Sequence, residues 1–270
     1  MERARRNGHE IVSARSLYDE SYRTLRGNLQ IRLKADRGVV LVSSPAPREG
    51  KSTVVLDLSV EWAYVGRKVL LVDGDLRACG LTRMVRGEGL PGLAEALEGK
   101  LELTRCVHPL ADSLTLLPAG TRRPGQLDLL GRGEALQAIF QKLRETYDLV
   151  LVDSPPVLAV CDALAIAPFT DAVLLLARSG RTLLSEVAEA RRRLEATGAR
   201  VAGTVLTFGD ASQFRSYQPY GADYAVSQDE EAVQSPPLPL ARPEPPAREG
   251  AASGGWTRGL RRRLAGGGRG

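Results

Sequence analysis

A chain of 270 residues with 43% apolar and 26% charged side chains suits one substantial α/β domain with appendages. Two histidines leave almost no material for a His-based zinc site or a Ser-His triad, and Cys79, Cys106 and Cys161 are too scattered for a disulfide scaffold, which fits a reducing cytoplasm. The net charge of +5 belongs to the end of the chain: residues 248–270 hold six arginines against Glu249 alone, so residues 1–247 are neutral overall.

In chain order, residues 17–33 read as an amphipathic helix with Ser16 as its N-cap. No secretory signal is expected near Met1, and no apolar run is long enough to cross a bilayer. Strands are predicted at 39–43, 69–73, 114–117, 149–153, 172–177 and 200–206, with helices at 51–65, 134–146 and 183–197. Region 80–112 is predicted to hold one short helix near 90–98. Near-continuous Val/Leu strands alternating with helices imply a doubly wound, mainly parallel sheet covered on both faces. The run Glu186–Leu194 reads as a solvated helix face. Beyond Phe208 the composition changes, with seven of the 16 prolines between Pro219 and Pro246, and the segment is expected to be disordered. In it stand three of the seven tyrosines, Tyr217, Tyr220 and Tyr224. Trp256, Leu260 and Leu264 could share a helical face beside arginines and suit an anionic membrane, although a solubilising end is the plainer reading.

Three strand ends carry the chemistry. Strand 39–43 runs into Ser44-Pro45-Ala46-Pro47-Arg48-Glu49-Gly50-Lys51-Ser52-Thr53, and Gly-Lys-Ser then opens a helix. This is the layout of a nucleotide phosphate loop: backbone N–H groups and a helix N-terminus collect on an anion, Lys51 neutralises its charge, and Ser52 can hold Mg²⁺. Pro45 stands where such loops usually begin with glycine, so the donors are expected from Arg48 to Thr53. Strand 69–73 ends in Asp73-Gly74-Asp75 and strand 149–153 ends in Asp153. Ligands of open parallel sheets bind at the carboxyl ends of strands, so Asp73, Asp75 and Asp153 are expected beside the loop, where Mg²⁺ needs oxygen ligands.

With these motifs the sequence resembles the bacterial tyrosine kinases of capsule and exopolysaccharide synthesis over roughly residues 16–207. Residues 44–53 resemble the family's Walker A and Val69–Arg77 its second acidic box, D-x-D-x-R. Leu149–Pro156 resembles its Walker B, and Asp162-Ala163 follows the same pattern. Glu20-Ser21-Tyr22-Arg23-Thr24-Leu25-Arg26 is similar to the family's E-x-x-R-x-x-R segment. The resemblance implies a P-loop NTPase fold and divides the chain into an N-terminal helix with an oligomerisation motif (1–35), a kinase domain (36–208) and a tail (209–270). That tail carries the tyrosine cluster (217–224) and the basic end (248–270).

It further implies an ATP- and Mg²⁺-dependent protein-tyrosine autokinase that regulates polysaccharide synthesis and export. Lys51, Asp73, Asp75 and Asp153 would be its catalytic set, with residues 48–53 on the phosphates and Ser52, Asp75 and Asp153 toward the metal. Asp73 would take the tyrosine proton. Glu20, Arg23 and Arg26 would join subunits in a ring, and Tyr217, Tyr220 and Tyr224 would be the autophosphorylated residues. Implied partners are a transmembrane activator of the polysaccharide co-polymerase type and a cognate tyrosine phosphatase, with the chain peripheral at the inner face of the cell membrane. An alternative is an ATP-binding switch or scaffold of the export machinery with weak or no kinase activity.

DNA partitioning is a weaker reading. Related partitioning ATPases carry a lysine where Ala46 stands, and the neutral body argues against specific nucleic-acid binding. The chain also departs from the family. Arg48 replaces a glycine, so a positive φ there would be strained. Cys79 replaces a proline, and Thr207 stands where an asparagine often reaches the nucleotide base.

Overall fold

Among the described residues, seven strands form a single sheet in the order β3-β4-β2-β5-β1-β6-β7. They are β1 (Gly38–Ser43), β2 (Val69–Asp73), β3 (His108–Ala111), β4 (Leu114–Leu117), β5 (Leu149–Asp153), β6 (Ala172–Arg178) and β7 (Val201–Thr207). The computed structural model describes residues 18–33, 37–121 and 126–209. Every pairing is parallel except β3 with β4. β1 lies between β5 and β6, so the phosphate loop leaves the centre of the sheet.

The helices are α1 (18–32), α2 (Lys51–Tyr64), α3 (Gly80–Met84), α4 (Leu93–Leu97), α5 (Leu103–Cys106), α6 (Gly133–Thr146), α7 (Asp162–Ile166) and α8 (Leu184–Ala196). Successive strand side chains point to opposite faces, and the unbroken Val/Leu runs fill both. On one face Val39, Leu41, Val150 and Val152 meet Phe140 of α6 and Leu194 of α8. On the other, Val40, Val42 and Leu151 meet Leu29 of α1 and Leu58 and Trp62 of α2. The sheet is therefore doubly wound as expected.

The predicted strands and long helices match within about two residues, a normal margin for element ends. Ser16, the expected cap of α1, lies outside the described residues. Region 80–112 differs from expectation: besides α4 it holds α3, α5 and the edge strand β3. Pro109 is tolerated in β3 because the strand is at the sheet's edge. The charged face of α8 is solvated as read, with Arg193 and Arg192 paired to Glu189 and Arg191 to Glu195. Among the described residues no helix is long and apolar enough to cross a membrane.

Candidate nucleotide-phosphate site

The loop between β1 and α2 is held from several sides. Glu49 is fully buried. Its carboxylate accepts hydrogen bonds from the Ala46 N–H at 3.3 Å and from the Thr182 hydroxyl. Its carbonyl accepts from the Thr207 hydroxyl at 2.9 Å. Gly50 caps α2 at φ 86, and Arg48 stands at φ 64. The strain expected from arginine in place of glycine is thus present. The first intrahelical bond of α2 runs from Val54 N to Gly50 O at 2.9 Å. The N–H groups of Lys51, Ser52 and Thr53 therefore head the helix without intrahelical acceptors, which is the donor set an anion needs.

Lys51 and Ser52 already touch the rest of the site. Lys51 Nζ donates to Ser44 Oγ at 3.0 Å. Burial pulls its pKa down, opposed by the charges of Asp153, Asp75 and Glu49. Ser52 Oγ donates to Asp153 Oδ2 at 2.5 Å. Asp153 Oδ1 is buried with no hydrogen-bond partner. Burial first, then the neighbouring charge of Asp73, pushes the Asp153 carboxyl up to about 8.

β2 brings the second acidic box alongside. Asp73 is the register partner of Asp153. Gly74 lets the two strand ends meet: its N–H donates to the Asp153 carbonyl at 2.8 Å, and a Cβ there would lie 2.8 Å from that oxygen. Asp73 is sealed in, accepting from the Thr82 N–H and hydroxyl at 2.8 and 2.7 Å and from the Asp75 N–H at 3.1 Å. Burial raises its pKa to about 6. Asp75 is half-buried and accepts from the N–H groups of Arg77 and Ala78 on Oδ1. Spacing in sequence leaves Asp73 and Asp75 interchangeable; the structure separates them as the enclosed and the open carboxylate.

The residues fit a magnesium-bound phosphate. Among the described residues no three His, Cys, Asp or Glu cluster tightly enough to hold a metal alone. Mg²⁺ does not require that, since it usually takes one or two carboxylates together with substrate phosphates and waters. The unpartnered Asp153 Oδ1 beside Ser52 offers such an oxygen.

Several contacts of the site could not be read from the sequence, although Arg77, Cys79 and Asp162 stand in or beside its motifs. Thr82, nine positions after Asp73, occupies one of its oxygens. Arg77 makes a two-pronged ion pair with buried Asp162, at 2.8 and 3.1 Å, joining the acidic box to α7. Cys79 stands at φ 50 and its N–H donates to the Asp75 carbonyl. Proline could do neither, so the chain takes a path here that the family's usual residue excludes.

On α1, Glu20 and Arg23 form an exposed ion pair at 3.4 Å, while the Nε of half-buried Arg26 has no hydrogen-bond partner. Tyr217, Tyr220 and Tyr224 lie outside the described residues, as does the basic end.

A family model described as an AAA domain matches residues 48–180. A tyrosine-protein kinase of Bacillus subtilis (strain 168), YwqD, is 31% identical over 222 residues, covering 81% of this chain and 93% of that protein. A putative tyrosine-protein kinase of Ralstonia solanacearum, EpsB, is 34% identical over 82% of this chain but only 30% of its own length. Among solved structures, the kinase domain of the Escherichia coli tyrosine kinase ETK aligns with a TM-score of 0.65 at 28% identity, over 71% of this chain and 77% of that one. The BceF tyrosine kinase domain aligns with a TM-score of 0.62 at 36% identity, over 70% and 76%. A cobyrinic acid a,c-diamide synthase from Mycobacterium smegmatis, at 23% identity and a TM-score of 0.57, shares the fold alone. With its acidic boxes, phosphate loop and E-x-x-R-x-x-R helix, this chain belongs to the bacterial tyrosine kinases, P-loop protein-tyrosine kinases.

Proposed function

We propose that this protein transfers the γ-phosphoryl group of ATP to tyrosines of its own C-terminal segment, Tyr217, Tyr220 and Tyr224, in trans within a ring. The observation that carries this is the meeting of Lys51, Ser52, Asp75 and Asp153 at the ends of β1, β2 and β5. Phosphoryl transfer asks the protein chiefly to position groups and neutralise charge. The N–H groups of residues 50–53 and Lys51 would hold the phosphates. Ser52, Asp153 and Asp75 would hold Mg²⁺, which draws charge from the β- and γ-oxygens.

The tyrosine hydroxyl, with an ordinary pKa near 10, attacks phosphorus as its proton passes to a carboxylate and the bond to ADP breaks. Asp73 has a pKa suited to receiving that proton, yet Thr82 and the Asp75 N–H occupy its oxygens. Asp73 would act once Thr82 lets go, whereas Asp75 needs no rearrangement. Asp73→Asn and Asp75→Asn, compared in single turnover across a Mg²⁺ titration, separate a lost base from a lost metal ligand.

Thr207 to Tyr217 is ten residues, up to roughly 33 Å of extended chain, enough to enter a neighbour's site. Glu20, Arg23 and Arg26 would make the contact between subunits, where Arg26 Nε would find its acceptor. We assign the protein to the inner face of the cell membrane, activated there by a membrane-embedded subunit of the polysaccharide machinery and reset by a tyrosine phosphatase.

The test is phosphopeptide mass spectrometry after incubation with Mg-ATP, comparing the parent with Lys51→Met. Phosphate on the three tail tyrosines that disappears in the variant supports the autokinase. ADP release with no phosphotyrosine, even with the membrane partner's cytoplasmic segment added, overturns it in favour of an ATP-driven switch.

A further inference from the structure

Two bulky residues with left-handed backbone stand together at the mouth of the phosphate loop: Arg48 at φ 64 and Phe208 at φ 55. Large side chains rarely adopt that conformation, and where they do the strain is held by surrounding contacts and often marks a working site. Here the contacts are visible. Arg178 Nη1 donates to the Arg48 carbonyl at 3.3 Å, and its guanidinium lies 4.2 Å from the centre of the Phe208 ring. A Cβ on Gly50 would sit 3.4 Å from Phe208 Cε2, so the ring's edge rests on the loop. Phe208 nevertheless remains 61% exposed. It is an aromatic ring presented to solvent, braced by a cation and aimed beside the phosphate donors.

Ligands of open parallel sheets lie at the carboxyl ends of the strands. On one side of β1 that edge is formed by β6 with β7 beyond it, the side on which Phe208 stands. A nucleotide with its phosphates on residues 50–53 would meet the ring if its base turned to that side. The neighbouring polar group is already committed: the Thr207 hydroxyl donates to the Glu49 carbonyl at 2.9 Å and approaches the Ala177 carbonyl at 3.3 Å. What the surface offers a base is therefore a π face rather than an edge-reading amide. Resting on the nucleotide site described above, we propose that Phe208, backed by Arg178, is a stacking shelf for the base. The shelf recognises a purine ring without distinguishing adenine from guanine. The chain continues from Phe208 toward Tyr217, nine residues on, so a stacked base would also fix the root of the segment that carries the tyrosines.

Calorimetry on the full chain with Mg²⁺ and ADP, GDP or inorganic tripolyphosphate tests this, using Phe208→Ala and Phe208→Trp. For the parent, ADP and GDP should bind within about fivefold of each other, because stacking tolerates any base. Phe208→Ala should weaken both by roughly 5- to 150-fold while tripolyphosphate stays within about twofold, and Phe208→Trp should retain nucleotide affinity. Equal loss of tripolyphosphate in Phe208→Ala, unchanged ADP affinity, or a preference for ADP beyond about 100-fold would each overturn the shelf. If the parent takes up no tripolyphosphate, the phosphate site falls with it. Phe208-dependent ADP binding without any phosphotyrosine supports the shelf and sinks the autokinase reading alone.

Discussion

Ser52 and Asp153, 101 positions apart in the chain, are joined by a 2.5 Å hydrogen bond that ties the start of α2 to the end of β5. The bond occupies one carboxylate oxygen of Asp153 and leaves the other buried and unpartnered. Lys51 meanwhile leans on Ser44. The polar groups that a magnesium-bound phosphate needs are thus assembled in advance, and a ligand would replace internal contacts rather than gather scattered side chains. Preassembly of this kind puts acidic groups in a low-dielectric place, with consequences for stability.

In chelator and without nucleotide, stability should fall as pH rises. Burial and the charge of Asp73 lift Asp153 to about 8, and burial lifts Asp73 to about 6. Both values exceed those of an unfolded carboxyl, so the native state binds more protons than the unfolded chain between about pH 4 and 8. The stabilising contribution is complete below about pH 4 and is lost as pH passes first the Asp73 and then the Asp153 value. Urea unfolding at pH 5 and pH 8 should differ by on the order of 1 to 5 kcal/mol, and Asp153→Asn should remove most of the difference. A flat profile in the parent would contradict the burial argument.

Arg48→Gly should stabilise the protein by about 1 kcal/mol, since glycine alone occupies φ 64 without a Cβ penalty. Arg48→Val should cost more than the glycine variant gains, because a branched Cβ crowds that conformation further. Chemical denaturation of the two variants against the parent decides it. If Arg48→Gly is the less stable, the arginine side chain holds the loop in a way its backbone angle does not reveal.

The strain at Arg48 was legible because the resemblance to the family implies a glycine at that position. So were the strands, whose unbroken Val/Leu runs leave no polar alternation to confuse with a helix. β3 was not, for it has only four residues, three half-exposed and the fourth an exposed proline. α3 and α5, of five and four residues, are too short to express a helical period. In the site, Lys51 could be read because Gly-Lys-Ser follows an apolar strand and opens a helix, and Asp153 because it ends an apolar strand. The Arg77–Asp162 pair spans 85 positions, and the Thr82 hold on Asp73 depends on how α3 is set against β2; neither is written in local spacing. In the sequence Phe208 marks only where the composition changes; its backbone angle and its packing on Arg178 single it out.

Arg77 and Asp162 should be strongly coupled. Asp162 is buried, and two hydrogen bonds from the guanidinium satisfy its carboxylate and hold the Arg77 pKa above its usual value. Arg77→Ala leaves that charge buried and alone and should cost about 2 to 4 kcal/mol, less than for a wholly enclosed pair because Arg77 is partly exposed. Asp162→Ala in the same background should then add little, giving an interaction energy of about 1 kcal/mol or more in a double-mutant cycle. Arg77→Lys should recover only part, since an ammonium cannot reproduce the two-pronged geometry. Strict additivity of the single variants would show that the pair is incidental.

The hold of α1 on the domain should depend on Tyr18 and Asp57. The Tyr18 hydroxyl donates to the Asp57 carboxylate of α2, and its ring meets that of Tyr22 edge-on at 4.9 Å. Burial and the Asp57 charge both push the Tyr22 hydroxyl well above its usual pKa, so it stays protonated throughout the working range. Removing the charge-assisted bond with Tyr18→Phe should cost about 1 to 2 kcal/mol, while keeping the aromatic contact. Because the loss falls on one helix, it should appear first as faster amide exchange across residues 18–32, with the strands unchanged. The same helix carries Glu20, Arg23 and Arg26. Light scattering on Tyr18→Phe should therefore show smaller assemblies at a given concentration if these three residues join subunits. Faster exchange with unaltered assembly would separate the anchoring of α1 from the subunit contact and remove that contact from the E-x-x-R-x-x-R segment.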